Sequence, residues 1–183
     1  MSMAGVVLPF ALLCCLIFAL ENLPTALSIV GAMTVHELGH IIAIRMCGGR
    51  VSGVLSSSVG ANLICSLDRH SLRRDVLIFI SGPCAGAVAG MAGYFCGLYE
   101  FAWISMYLTV LNLLPAVPFD GGCILKTVLP CGSAEKILTV SSIITGLVLC
   151  IAGLYFIAGG YNFTVFASGI GVFLSMAGKS SLQ

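Results

Sequence analysis

Six apolar runs occupy most of this chain, each close to the 17–25 residues that a helix needs to cross a bilayer. They are Met3–Leu20, Leu23–Met46, Val76–Leu98, Phe101–Phe119, Ile137–Ala158 and Tyr161–Ala177. Of the 183 residues, 8% are charged and 59% hydrophobic, against roughly 25% and 45–50% in a soluble domain. Such a chain has too few polar side chains to cover itself in water. The expected fold is an all-α polytopic membrane protein, with 1–183 forming a single membrane domain. The first run lacks a basic n-region and a small-x-small cleavage site, so it reads as a span rather than a signal peptide. A net charge of +1, with no basic stripe, gives no footing for nucleic acid.

The breaks between runs carry turn chemistry at Glu21-Asn22-Leu23-Pro24, Pro130-Cys131-Gly132-Ser133 and Gly159-Gly160. The basic residues set the orientation. Arg45, Arg50, Arg69, Arg73 and Arg74 lie around the second connection, Lys126 and Lys136 in the fourth, and Lys179 after the last span. With six spans all eight fall on one side, which is expected to be the cytoplasm, together with both termini. The one long connection, Gly48–Asp75, is rich in Ser, Val and Gly without helical periodicity. Its loose alternation suggests a short β-hairpin near the cytoplasmic interface.

Nine cysteines do not make a disulfide framework: the number is odd, there is no CxxC pair, and Cys14, Cys15, Cys84, Cys96 and Cys150 sit inside apolar runs. There cysteine behaves as a small hydrophobe.

The second run contains His36-Glu37-Leu38-Gly39-His40, an HExxH pattern. On a helix, positions i and i+4 share a face, so both imidazoles can reach one metal ion with Glu37 beside it. In lipid, two imidazoles and a carboxylate without a cation are costly to bury. Catalytic zinc takes three protein ligands plus water, so a third ligand is expected. Ala43 and Met46 occupy the positions where the soluble metzincin pattern would place Gly and His. Among seven acids, Asp120 is the candidate by elimination, because it closes the fourth span with no basic neighbour. The orientation puts HExxH and Asp120 at similar depth, toward the cytoplasm. Around Asp120 the sequence reads Asn112-Leu-Leu-Pro115-Ala-Val-Pro118-Phe-Asp120-Gly121-Gly122. The two prolines break the helical ladder, and irregular backbone at membrane depth is tolerated where it lines a cavity. The glycines permit tight backbone geometry and the close approach of another chain.

HELGH in one span, with NLLPAVPFDGG two spans later, resembles the site-2 protease family of intramembrane zinc metalloproteases. The resemblance implies one catalytic zinc ion held by His36, His40 and Asp120, with Glu37 as catalytic acid/base. It also implies that Asn112 helps hold the substrate backbone, with Pro115, Pro118 and Gly121 completing the substrate-binding wall. The hairpin would offer an edge strand to an unwound substrate, and the catalytic core would span 23–122. The six-span form without room for a PDZ insertion resembles the sporulation-type members, which process a membrane-associated sigma-factor precursor in a bacterial cell membrane and commonly carry a C-terminal CBS domain. The partners so implied are a membrane or membrane-associated protein substrate, the lipid bilayer and inhibitory membrane proteins.

The third span keeps the family's Gly82-Pro83 but has no nearby Asn. Its Gly82, Gly86 and Gly90 recur every four positions, the spacing of close helix packing. The rival readings are a membrane zinc transporter or sensor, which needs a relay of ligands that His70 alone does not supply, and an inactive relative that binds substrate without cleaving it.

Overall fold

The computed structural model describes residues 15, 17–19, 21–57, 60–66, 71–116, 119–129 and 131–158. Its elements run α1 (Leu23–Met46), β1 (Arg50–Ser57), β2 (Gly60–Ser66), α2 (Leu72–Phe95), α3 (Tyr99–Asn112), α4 (Asp120–Val128) and α5 (Cys131–Ala158). They fall into two compact units, residues 1–57 with 61–113, and residues 58–60 with 114–183. The first holds α1, α2 and α3; the second holds α4 and α5.

In the first unit, α1 begins where Asn22 caps it. The Asn22 Oδ1 accepts from the Thr25 backbone N–H at 3.0 Å and from its hydroxyl at 2.9 Å, which satisfies a donor that a helix start leaves orphaned. The same hydroxyl lies against Glu100 Oε1 in the first turn of α3, so the starts of α1 and α3 are tied together. α1 and α2 have 24 residues each, about 36 Å of helix at 1.5 Å per residue, and both are long and apolar enough to cross a membrane. β1 and β2 pair as a two-stranded sheet between them.

Many of the residues buried in this unit are small, beside Ile44, Ile78 and Leu111, while many large ones are exposed. Ala26, Ala32, Gly39, Gly82, Gly86, Gly90, Ala102 and Ser105 are buried, whereas Leu27, Ile42, Leu77 and Val88 are each more than half exposed. In water such an exterior would be an aggregation surface; in lipid, small residues are what let helix backbones approach. A Cβ at Gly86 would lie 2.6 Å from Thr109 Oγ1, and one at Gly90 would lie 3.2 Å from the Ala102 carbonyl oxygen. Both glycines therefore seat α2 against α3.

Several boundaries depart from the sequence reading. α2 starts at Leu72 rather than Val76, taking in Arg73, Arg74 and Asp75; charge excludes these from an apolar run, but the backbone ladder continues through them. It ends before Gly97, whose φ of 78° stops the helix. The expected fourth span, Phe101–Phe119, is a 14-residue helix that stops at Asn112. Leu114 precedes Pro115, and the position before proline disfavours the helical conformation.

In the second unit, Asp120 does not close that span; it is the first residue of the separate helix α4, entered through an extended Phe119. Gly121 and Gly122 lie in the first turn of α4 without positive φ, so they make no tight turn there. Lys126 sits in the last turn of α4 rather than in a loop, and α5 starts at Cys131, so the expected break at Cys131–Ser133 is helical. The Ser141 hydroxyl donates to the Pro115 carbonyl, holding the irregular segment to α5. Among the described residues, α1 and α2 are the helices that meet the length and composition of a span, and the six-span count is not reproduced there. The expected spans Met3–Leu20 and Tyr161–Ala177 lie, apart from residues 15 and 17–19, outside the described residues, as do His70 and Pro118.

The seating of α2 on α3 makes a direct prediction. Gly86→Ala lowers the stability of the detergent-solubilised protein by about 1–3 kcal/mol, and adding Thr109→Ala restores part of the loss, since the hydroxyl is what the new methyl meets. Thermal unfolding of the three proteins checks it; a single variant that melts like wild type would refute the contact.

Candidate metal centre

His36 and His40 lie one turn apart on α1 and are 7% and 6% exposed. Their rings meet edge to face, with centroids 4.9 Å apart at 78°, and their Nε2 atoms are 3.2 Å apart. His40 Nδ1 is 2.8 Å from the Ile78 carbonyl oxygen on α2. A carbonyl can only accept, so Nδ1 carries the proton and Nε2 of the neutral ring presents a lone pair. Fixing one ring nitrogen by a backbone carbonyl while the other faces a metal is the usual arrangement around histidine ligands.

The donor set fits zinc. At Zn–N distances of 2.0–2.1 Å and tetrahedral angles, two ligating nitrogens stand about 3.3 Å apart. The observed 3.2 Å between the Nε2 atoms is close to that value.

Close contact between α1 and α2 makes this geometry possible. A Cβ on Gly39 would lie 2.6 Å from the Ser81 carbonyl oxygen and 2.7 Å from Ala85 Cβ, so the glycine inside HELGH is a point where the α2 backbone comes close to α1. Pro83, buried within α2, has no N–H to give the Phe79 carbonyl one turn earlier. In that turn Ile78 O also accepts the Ser81 hydroxyl at 2.6 Å. Glu37, the residue after His36, is half-buried.

The remaining expected site residues are distributed as follows. Asn112 is the last residue of α3 in the first unit, half-buried, with its amide nitrogen donating to the Leu108 carbonyl at 2.9 Å. Asp120 and Gly121 open α4 in the second unit, both half-buried. A carboxylate is electrostatically favoured at a helix start, the position that Asp120 takes in α4. Pro115 is exposed. Among the described residues, Cys15, Cys47, Cys84, Cys96 and Cys150 are thiols outside any disulfide. Reading the sequence for side chains misses the Ile78 carbonyl, because a backbone acceptor has no letter of its own.

Residues 97–154 match the model of peptidase family M50. A zinc metalloprotease of Methanocaldococcus jannaschii is 27% identical over 111 residues, which is 54% of this chain and 32% of that protein. The matched segment thus spans about a third of the curated relative's length. The solved structure of the site-2 protease from Methanocaldococcus jannaschii has the same fold, with a TM-score of 0.67 at 18% identity, covering 97% of this chain and 88% of that one.

The imidazole pair predicts a linkage effect. Zinc at about a hundred times its dissociation constant raises the stability of the metal-free protein by about 2.7 kcal/mol, and His36→Ala or His40→Ala each abolish the rise. Thermal unfolding with and without added zinc measures it; an unchanged rise in either variant would show that the pair does not hold the ion.

Proposed function

We propose that this chain, a relative of the peptidase family M50 and the site-2 proteases, is an intramembrane zinc endopeptidase. It hydrolyses a peptide bond in or beside a transmembrane or membrane-associated segment. The observation that carries the reading is the buried imidazole pair, with Nε2 atoms 3.2 Å apart, on a helix long and apolar enough to cross a membrane. Asp120 is the third ligand in this reading, Glu37 the acid/base, and the ion is a single zinc.

When bound, zinc supplies Lewis-acid polarisation of the scissile carbonyl and brings the pKa of a bound water down toward about 7. Glu37 takes a proton from the attacking water and delivers it to the amide nitrogen as the C–N bond breaks, leaving a carboxylate and an amine. The His40 Nδ1–H held by Ile78 keeps its ring from turning while charge builds up beside it.

A helical substrate hides its carbonyls in its own hydrogen bonds, so it must unwind locally. α3 offers a place for this. Its 14 residues make about 21 Å of helix, short of the roughly 30 Å hydrocarbon core. With Tyr99 at one membrane interface, Asn112 ends inside the membrane, followed by the non-helical stretch through Pro115. Asn112, Pro115, Pro118 and Gly121 would line the receiving wall, and the strand pair β1–β2 would offer an edge for the extended substrate. Six spans with all basic connections on one side would turn this site toward the cytoplasm of a bacterial cell. A sigma-factor precursor or another regulatory protein is the kind of substrate that fits, with inhibitory membrane proteins as its regulators.

The test is co-expression with a panel of single-span and membrane-associated substrates, comparing wild type with Glu37→Gln and measuring zinc content alongside cleavage. Both should bind about one zinc per chain, and wild type alone should cleave. Cleavage surviving in Glu37→Gln would remove the proposed acid/base. Zinc bound by both, with directional zinc flux across vesicles that Glu37→Gln leaves unchanged, would instead establish a transporter.

A further inference from the structure

The three glycines of α2 do not share one role. Gly86 and Gly90 face Thr109 and Ala102 on α3, whereas Gly82 faces a side chain of α1. A Cβ at Gly82 would lie 2.2 Å from His40 Nε2, 2.5 Å from Cε1 and 2.8 Å from Cδ2. These three atoms form the ligating edge of the imidazole, opposite the Nδ1 that Ile78 holds. Only hydrogen fits between the α2 backbone and the nitrogen that points toward His36.

We propose that Gly82 is a positioning residue for the metal centre: together with the Ile78 carbonyl one turn earlier, it sets the rotamer and tautomer of His40. Ile78 pulls on the back of the ring, and Gly82 leaves the front of it room. Neither residue touches substrate or supplies a ligand atom, and the inference rests on the zinc reading above only for its consequence, the affinity.

The physical reasoning gives a specific phenotype. A methyl at position 82 meets the end of a side chain rather than backbone, so the imidazole can yield by turning about its χ angles. The helices can stay packed while His40 Nδ1 loses Ile78 and Nε2 swings away from His36. Loss of the partner that orients a histidine ligand typically weakens metal affinity by about 10–100-fold. Gly86 supplies the matched control, since it lies one turn along the same stripe, takes the same substitution and does not touch His40.

Two readouts on the full-length protein in detergent test this. The first is zinc affinity, from competition with a chromophoric chelator, for wild type, Gly82→Ala and Gly86→Ala. Gly82→Ala should bind zinc at least about 10-fold more weakly, with Gly86→Ala close to wild type. Equal affinity in wild type and Gly82→Ala, or an equal loss in both variants, would overturn the proposal. The second is nitrogen NMR of ¹⁵N-histidine-labelled, metal-free protein near pH 8, where an ordinary imidazole of pKa about 6.5 is neutral. The chain has only three histidines, so His40 can be assigned by comparison with a His40→Ala spectrum. Wild type and Gly86→Ala should show His40 protonated at Nδ1, and Gly82→Ala should lose that signature. A wild-type His40 protonated at Nε2 would overturn the proposal even if Gly82→Ala failed to fold. Should wild type bind no zinc, the zinc reading fails, while the NMR readout still decides whether Gly82 orients the ring.

Discussion

Two imidazoles buried on a helix of membrane-spanning length need a direction for each nitrogen, because an unsatisfied polar atom in an apolar medium costs several kcal/mol. The hydrogen bond from His40 Nδ1 to the Ile78 carbonyl, 2.8 Å long, answers this for His40 and constrains much else. It requires α2 to lie against α1 at backbone distance, which Gly39 and Gly82 allow. It also draws on a carbonyl that accepts the Ser81 hydroxyl as well, which the two lone pairs of a carbonyl oxygen permit. The Nε2 of His40 then faces the Nε2 of His36 at 3.2 Å.

The packing around this point follows membrane rather than aqueous rules. Small residues make up much of what is buried among α1, α2 and α3, beside Ile44, Ile78 and Leu111, and many branched aliphatic residues lie on the outside. Because lipid is as apolar as leucine, burying large apolar side chains gives little drive for helix association there. Close backbone approach and short polar contacts take its place, such as those of Thr25 with Asn22 and Glu100. The same economy leaves space beside α2 for imidazole rings.

The sequence made much of this legible, and its failures are instructive. The extent Leu23–Met46 could be read directly, because an apolar run bounded by Asn22-Leu23-Pro24 and by Cys47-Gly48-Gly49 has both a start and a stop. The pairing of His36 with His40 followed from helical spacing alone. The region from Phe101 to Phe119 misled, because hydropathy counts Leu113, Leu114 and Val117 as span, whereas backbone geometry near Pro115 ends the helix at Asn112. Asp120 was picked out as a residue of interest but assigned to the wrong element: it starts a helix instead of closing one. Glycine spacing signalled packing at Gly86 and Gly90, yet could not tell that Gly82, in the same stripe, faces a histidine rather than a helix backbone. Periodicity places residues on a face and does not say what stands opposite.

The central claim is that this chain holds one zinc ion through two imidazoles and a carboxylate. X-ray absorption at the zinc edge of the purified, zinc-loaded protein reads that shell directly, in wild type and in Asp120→Asn. The account predicts a shell of nitrogen and oxygen at about 2.0–2.2 Å, with outer scattering from two imidazoles and no sulfur, and an altered shell in the variant. Sulfur at about 2.3 Å would instead place the ion on some of the nine cysteines. That result, or a shell indifferent to Asp120, would contradict the account.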